Sequence, residues 1–208
     1  MSTPDRPAAL LLDLDGTLVD SEEFHRQVFR DWFAARGWPL GDDLLASFTG
    51  RRADDVLASE PGPWAGEDLA VMTAELLGHM VSLPRPALTV GAAELIATTG
   101  VPLALVTSAT LDWARTCLGD LLERFDFVVT RDEVANGKPQ PEPYALAIRE
   151  LGVAAPDCLA VEDAPAGVAS ALAADVGTVV AVTSTFPAGR LAGAHLVVDT
   201  LHEVSALL

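Results

Sequence analysis

Short apolar runs punctuate the chain, and they do not alternate with polar residues. They are Ala8–Leu12, Val101–Val106, Phe127–Val129, Leu159–Val161, Val179–Val182 and Leu196–Val198. A strand with one wet face alternates apolar and polar side chains. A run of Leu and Val without that rhythm suits a strand covered on both faces. Between the runs lie segments with helical spacing, among them Leu111–Phe125, Pro143–Leu151 and Ala164–Ala174. Strand alternating with helix predicts an α/β fold built on a doubly wound, Rossmann-like parallel sheet.

The stretch from residue 20 to 85 reads differently. Phe24, Val28, Phe29, Trp32 and Phe33 share one face of an amphipathic helix. Further helices are expected over Asp43–Phe48, Ala53–Ser59 and Glu67–Leu83, and no β run occurs there. We read this stretch as a small helical cap inserted between the first and second strands. Pro84 and Pro86 mark its return. The expected division is a core of residues 1–19 and 86–208 with a cap of residues 20–85.

Charge narrows the function classes. The chain carries a formal net charge of -17, which repels nucleic acid and anionic membranes, so neither is an expected partner. The same field repels an anionic metabolite. A phosphate site in this chain therefore has to be made locally positive, and a divalent cation is the simplest means. No apolar stretch is long enough to span a bilayer. The apolar run after Met1–Pro7 is too short for a secretory signal, so a cytoplasmic protein with reduced Cys117 and Cys158 is expected.

The polar residues with chemical potential stand at the ends of the expected strands. The first strand runs into Asp13-Leu14-Asp15-Gly16-Thr17. Residues i and i+2 of an extended chain point the same way, so Asp13 and Asp15 project together from the edge where open α/β sheets bind ligands. Two adjacent carboxylates repel, and either a cation or a shared proton resolves the conflict. That arrangement offers a nucleophile beside Mg2+ and a general acid. Read alone, the pair could equally cap a turn. Thr107 and Ser108 close the second strand before a helix, where hydroxyls and backbone N–H groups form an anion site. Lys138 is the single lysine of the chain and lies among Pro139, Pro141 and Pro143, a setting that holds its ammonium in place. Glu162 and Asp163 end the fourth strand and supply hard oxygen ligands of the kind Mg2+ takes, or a helix cap.

In order, the segments Asp13 to Ser21, Val106-Thr107-Ser108, Gly137-Lys138-Pro139 through Tyr144, and Glu162-Asp163-Ala164-Pro165-Ala166-Gly167 resemble the haloacid dehalogenase superfamily over essentially the whole chain. Within it the chain is most similar to the sugar and polyol phosphatases that also resemble β-phosphoglucomutase. The resemblance implies roles. Asp13 would be the nucleophile and Asp15 the acid/base. Thr107, Ser108 and Lys138 would hold the transferring phosphoryl group. Mg2+ would sit among Asp13, the Asp15 carbonyl and Asp163, with Glu162 supporting or ligating. In the cap, His25 and the loop Gly50-Arg51-Arg52 resemble elements that reach a small phosphorylated substrate in related enzymes. The family often has a glycine where this chain has Asp175. A phosphomutase shares every core motif and is the principal alternative, followed by a non-catalytic binding protein on the same fold. A monomer suffices for such a site.

Overall fold

A computed structural model describes residues 6–80 and 85–208. The expected end of the fourth cap helix at Val81–Leu83, and Pro84, lie outside the described residues. The strands are β1 (Ala9–Leu12), β2 (Leu103–Val106), β3 (Phe127–Val129), β4 (Cys158–Glu162), β5 (Thr178–Val182) and β6 (Leu196–Val198). They form one sheet in the order β3-β2-β1-β4-β5-β6, with every pair parallel. The chain builds outward from β1 in one direction through β2 and β3, then crosses back to lay β4 on the other side. The crevice at that reversal, at the carboxyl ends of β1 and β4, is where such sheets bind ligands.

The helices are α1 (Glu22–Ala35), α2 (Asp42–Ser47), α3 (Ala53–Ser59), α4 (Leu69–Met80), α5 (Ala92–Thr98), α6 (Leu111–Leu118), α7 (Glu142–Leu151), α8 (Pro165–Ala173) and α9 (Leu201–Ser205). The absence of alternation in the strand runs has a direct structural counterpart. Leu10 and Leu12 face a layer containing residues of α5, α6 and α9, whereas Ala9 and Leu11 face residues of α7 and α8. All four are fully buried. Each leucine so buried contributes about 1.5–3 kcal/mol, which fixes the register of β1 in the centre of the sheet.

Residues 22–80 contribute α1 to α4 and, among the described residues, no strand. They bury their own aromatic cluster, with Val28, Trp32 and Phe33 of α1 against Phe48, Trp64 and Leu76. The expected face of α1 is thus the one that packs. No helix among the described residues is long and apolar enough to cross a membrane.

Some expectations need correction. Leu111–Phe125 is not one helix. It breaks at Gly119, whose φ of 53° leaves the helical region, and continues as a 3-10 turn over Gly119–Arg124. Helices α5 and α9 were not foreseen. Asp175 adopts a φ of 59°, the only positive value outside glycine among the described residues, at the place where the resemblance leads one to expect glycine. Aspartate tolerates this left-handed conformation better than most side chains.

Candidate active site

Where β1 ends, the backbone N–H of Asp13 still donates to Val161 of β4, at 3.1 Å. The chain then turns sharply. Gly16 takes a φ of 81°, and its N–H donates to the Val19 carbonyl at 2.8 Å. A Cβ on Gly16 would stand 1.9 Å from Oδ2 of Asp163, so this turn needs glycine both for its dihedral and for space. Gly167 does the same for the neighbouring acid: a Cβ there would lie 2.0 Å from the Glu162 carboxyl group. The two glycines make room for the two carboxylates that end β4.

Lys138 is buried in the middle of this group. Its Nζ donates to Asp13 Oδ1 at 2.6 Å, to Glu162 Oε1 at 2.5 Å and to the Val106 carbonyl at 2.9 Å. It also sits 5.4 Å from the ring centroid of Tyr144, whose hydroxyl donates to the same Glu162 oxygen at 2.6 Å. Burial alone would push the Lys138 ammonium down, but the charges of Asp13 and Glu162 outweigh it and hold the group above its ordinary value. Lys138 therefore stays charged at any working pH. Asp13 moves the other way. Burial, reinforced by the Glu162 charge, pushes its carboxyl up to about 7 in spite of Lys138. Asp163 is raised well above the carboxylate range by burial and by the charges of Asp13 and Glu162.

These shifts describe an excess of negative charge. Oxygens of Asp13, Glu162 and Asp163 lie within 4.8 Å of one another, and Lys138 is the ammonium set among them. Asp163 Oδ2 is buried beside the Thr185 hydroxyl, and no ammonium or guanidinium pairs with it among the described residues. A buried carboxylate without a cation costs several kcal/mol. The donor set is all oxygen, and the imbalance of three carboxylates against one ammonium suits a divalent ion. The residues thus fit a hard cation such as Mg2+.

Asp15 belongs to the same cavity as Asp13 but is held by other groups. Its Oδ1 accepts from Ser21 Oγ at 2.7 Å and from Trp113 Nε1 at 2.9 Å, with His25 Nε2 at 3.6 Å. Thr107 and Ser108 also line the cavity. The Thr107 hydroxyl accepts from the N–H of Ala109 at 3.0 Å, and Ser108 Oγ donates across to the Gly50 carbonyl at 3.4 Å.

From the other side the cavity is roofed by residues of α1, α2, α4 and the Gly50 loop, including Phe29, Leu45, Phe48, Leu76 and Met80. Arg51 lines it, with Nη2 3.3 Å from Ser59 Oγ. Arg52 has a different attachment. Its guanidinium is buried and donates to the carbonyls of Arg131 at 2.6 Å, Val134 at 2.8 Å and Ala135 at 3.5 Å. Beside it Asp54 pairs with Arg131 at 2.6 Å. The start of α3 is in this way fastened to the loop after β3. Gly50, with a φ of 74°, comes so near that an added Cβ would lie 2.6 Å from Ala164.

All the anticipated core residues, Asp13, Asp15, Thr107, Ser108, Lys138, Glu162 and Asp163, cluster at the carboxyl ends of β1, β2 and β4 or in the loop before α7. Sequence reasoning did not assign functions to Tyr144, Trp113 and Ser21. Tyr144 and Ser21 lie inside the quoted motifs. Trp113 gave only the weaker signal of an aromatic residue in the first turn of a helix that opens beside a candidate anion site.

Comparison with known proteins agrees with this geometry. The family model for haloacid dehalogenase-like hydrolases matches residues 7–175. Validoxylamine A 7'-phosphate phosphatase of Streptomyces hygroscopicus subsp. limoneus is 36% identical over 201 residues, covering 93% of this chain and 94% of the relative. Hexitol phosphatase A of Escherichia coli (strain K12) is 35% identical over 210 residues, covering 96% and 94%. The crystal structure of CbbY from Rhodobacter sphaeroides in complex with phosphate superposes with a TM-score of 0.80 at 30% identity, over 95% of this chain and 96% of that one. The chain belongs to the haloacid dehalogenase-like hydrolases, an enzyme whose curated relatives include phosphatases.

Proposed function

We propose that the chain is a Mg2+-dependent phosphatase for small phosphate monoesters of sugars or polyols, working through an aspartyl phosphate on Asp13. The observation that carries this reading is the bond from the buried Lys138 to one oxygen of Asp13, on the wall of a cavity that also holds Asp15. With Oδ1 engaged, the second oxygen of Asp13 is left to attack phosphorus. Lys138 neutralises the nucleophile and the arriving phosphoryl group together, and Thr107 and Ser108 supply donors for its oxygens. Mg2+ held by Asp13, Asp163 and the Asp15 carbonyl would add Lewis-acid neutralisation of the phosphoryl charge. Glu162, tied to Lys138 and Tyr144, fixes the ammonium.

Asp15 donates a proton to the leaving oxygen as its bond to phosphorus breaks. As a carboxylate it then takes a proton from the water that cleaves the aspartyl phosphate. Residues 20–85 act as the cap: those that line the cavity roof it and exclude bulk water, and a single chain provides every residue named.

Hydrolysis is favoured over phosphomutation by the arginines. A mutase has to grip a second phosphate. Here Arg26 is paired with Glu22 at 2.7 Å, Arg131 with Asp54, and Arg52 with three carbonyls, which leaves Arg51 as the freest arginine of the cavity. The test is release of inorganic phosphate from a panel of sugar and polyol phosphates, with Mg2+ or EDTA, by wild type and Asp13→Asn. Release that needs Mg2+ and vanishes in Asp13→Asn is expected. Conversion of β-glucose 1-phosphate to glucose 6-phosphate without net release would replace this reading with the mutase.

A further inference from the structure

Trp113 has no part in the reaction as written, yet its indole points at the reacting groups. It sits in the first turn of α6, where its backbone N–H is received by the Thr110 hydroxyl at 3.3 Å. Its ring stacks on Phe24 of α1, with centroids 5.0 Å apart and planes at 25°, and lies 5.6 Å from the His25 ring. Backbone and ring are thus both fixed, and the one polar atom of the ring, Nε1, donates to Asp15 Oδ1 at 2.9 Å. Ser21 Oγ donates to that same oxygen. No donor among the described residues reaches Oδ2. The Asp15 side chain is 23% exposed, against 8% for Asp13 and 1% for Glu162, so it is the carboxyl group that opens most toward the cavity.

We propose that Trp113 is a positioning residue for proton transfer: by occupying Oδ1 of Asp15 it leaves Oδ2 as the oxygen that carries the proton and turns it toward the leaving group. The inference rests on the phosphatase reading above. Its chemical logic is that indole N–H is a donor only. A hydroxyl or an imidazole in its place could accept the acid's proton; indole cannot. An oxygen already receiving two N–H or O–H bonds is an acceptor, so the proton belongs on the other one. The assignment holds through both halves of the reaction. In the first, the bond between phosphorus and the leaving oxygen breaks as the Asp13–phosphorus bond forms. The electron pair left on that oxygen takes the proton from Oδ2. In the second, water attacks phosphorus, the Asp13–phosphorus bond breaks, and the water's proton returns to Oδ2. Without Trp113 only the Ser21 hydroxyl donates to Oδ1, the carboxyl turns more readily about its Cβ–Cγ bond to present either oxygen, and the proton is misplaced in part of the molecules.

The readout is leaving-group dependence of kcat/KM, which reports the steps up to formation of the aspartyl phosphate. A sugar or polyol alkoxide leaves only with a proton, whereas nitrophenolate leaves without one. Wild type, Trp113→Phe and Asp15→Asn are compared on the best alkyl phosphate of the panel and on p-nitrophenyl phosphate. Phenylalanine keeps the stack on Phe24 and removes the N–H. Trp113→Phe is expected to lose about 10-fold or more on the alkyl ester and less than about 3-fold on the aryl ester, a weaker copy of the Asp15→Asn profile. Equal losses on both esters, or no loss on either, would overturn the proposal. Should Trp113→Phe fold poorly, replacement of Trp113 by 3-benzothienylalanine keeps the ring shape without the donor and is judged by the same two esters. Failure of the underlying reading looks different: Asp13→Asn would retain phosphate release, or Asp15→Asn would lose equally on both esters, whatever happens at Trp113.

Discussion

Replacing Lys138 with methionine separates the charge of the buried ammonium from the packing of its stem. Methionine keeps the unbranched chain and removes three hydrogen bonds, to Asp13, Glu162 and the Val106 carbonyl. Glu162 is 1% exposed and does not line the cavity, so water cannot take over there. Removing one partner of such a buried ionic group costs about 3–5 kcal/mol, because the remaining charge is left without compensation. For a chain of this length that is a drop of roughly 10 °C in Tm. The cost has a pH signature. At pH 8 wild-type Asp13, with its carboxyl near 7, is mostly ionised, and the variant exposes the full repulsion. At pH 5 the acids of the variant take up protons, and the cost falls to below about 2 kcal/mol. The assay is urea unfolding in EDTA at both pH values, followed by tryptophan fluorescence. A cost that is the same at pH 5 and pH 8 would refute the electrostatic origin. A cost under about 1 kcal/mol at pH 8 would refute the buried network altogether.

The metal-free wild type should itself lose stability as pH rises. The Asp13 carboxyl lies near 7 in the folded chain against 3.8 for the ordinary group, so the folded state holds the proton more tightly, and the contribution present below about 4 is lost by about 7. Urea midpoints in EDTA should therefore fall between pH 5 and pH 8, and Mg2+ should raise the midpoint more at pH 8 than at pH 5. Arg52→Ala removes the fastening of α3 to the carbonyls of Arg131, Val134 and Ala135; KM for the best phosphate ester is expected to rise about tenfold, and amide exchange over residues 52–57 to accelerate. Both thiols should be inert in the native protein. Burial pushes Cys117 up to about 12 and Cys158 up to about 11, so a disulfide reagent at pH 8 should label neither within minutes and both in urea.

The parts of the molecule that the sequence revealed are those whose cause is local. Leu10 to Leu12 had to be covered on both faces because nothing polar breaks the run, and two helical layers cover them. Gly16 and the Asp13/Asp15 pair could be placed at a strand end because alternation and a turn residue are properties of neighbours. What escaped depends on contacts between distant segments. Trp113 reaches Asp15 across 98 positions, and Arg52 reaches Val134 across 82. Neither contact follows from a period of 3.6 or 2. Arg52 shows the limit well. Its place beside Arg51 made either of the two a candidate substrate contact; Arg52 lines the cavity, and its hold on a row of carbonyls depends on how α3 lies on the loop after β3. Helices α5 and α9 escaped for another reason: they are short, and α5 opens at Gly91 with no side-chain cap.

The charge distribution at the centre ties these observations to the proposed reaction. Lys138 answers for Asp13 and Glu162, and Tyr144 adds a second donor to Glu162. Asp163 has the Thr185 hydroxyl beside it but no ion-pair partner among the described residues, although it is 1% exposed. The backbone accommodates it deliberately: Gly16 and Gly167 withhold the side chains that would occupy the space around Asp163 and Glu162. A fold that spends this much buried negative charge gains nothing in stability from it. Under the proposed reaction it gives Asp13 one permanent cation, Lys138, and an oxygen donor set that fits a divalent ion, which would let a chain with a net charge of -17 receive an anion.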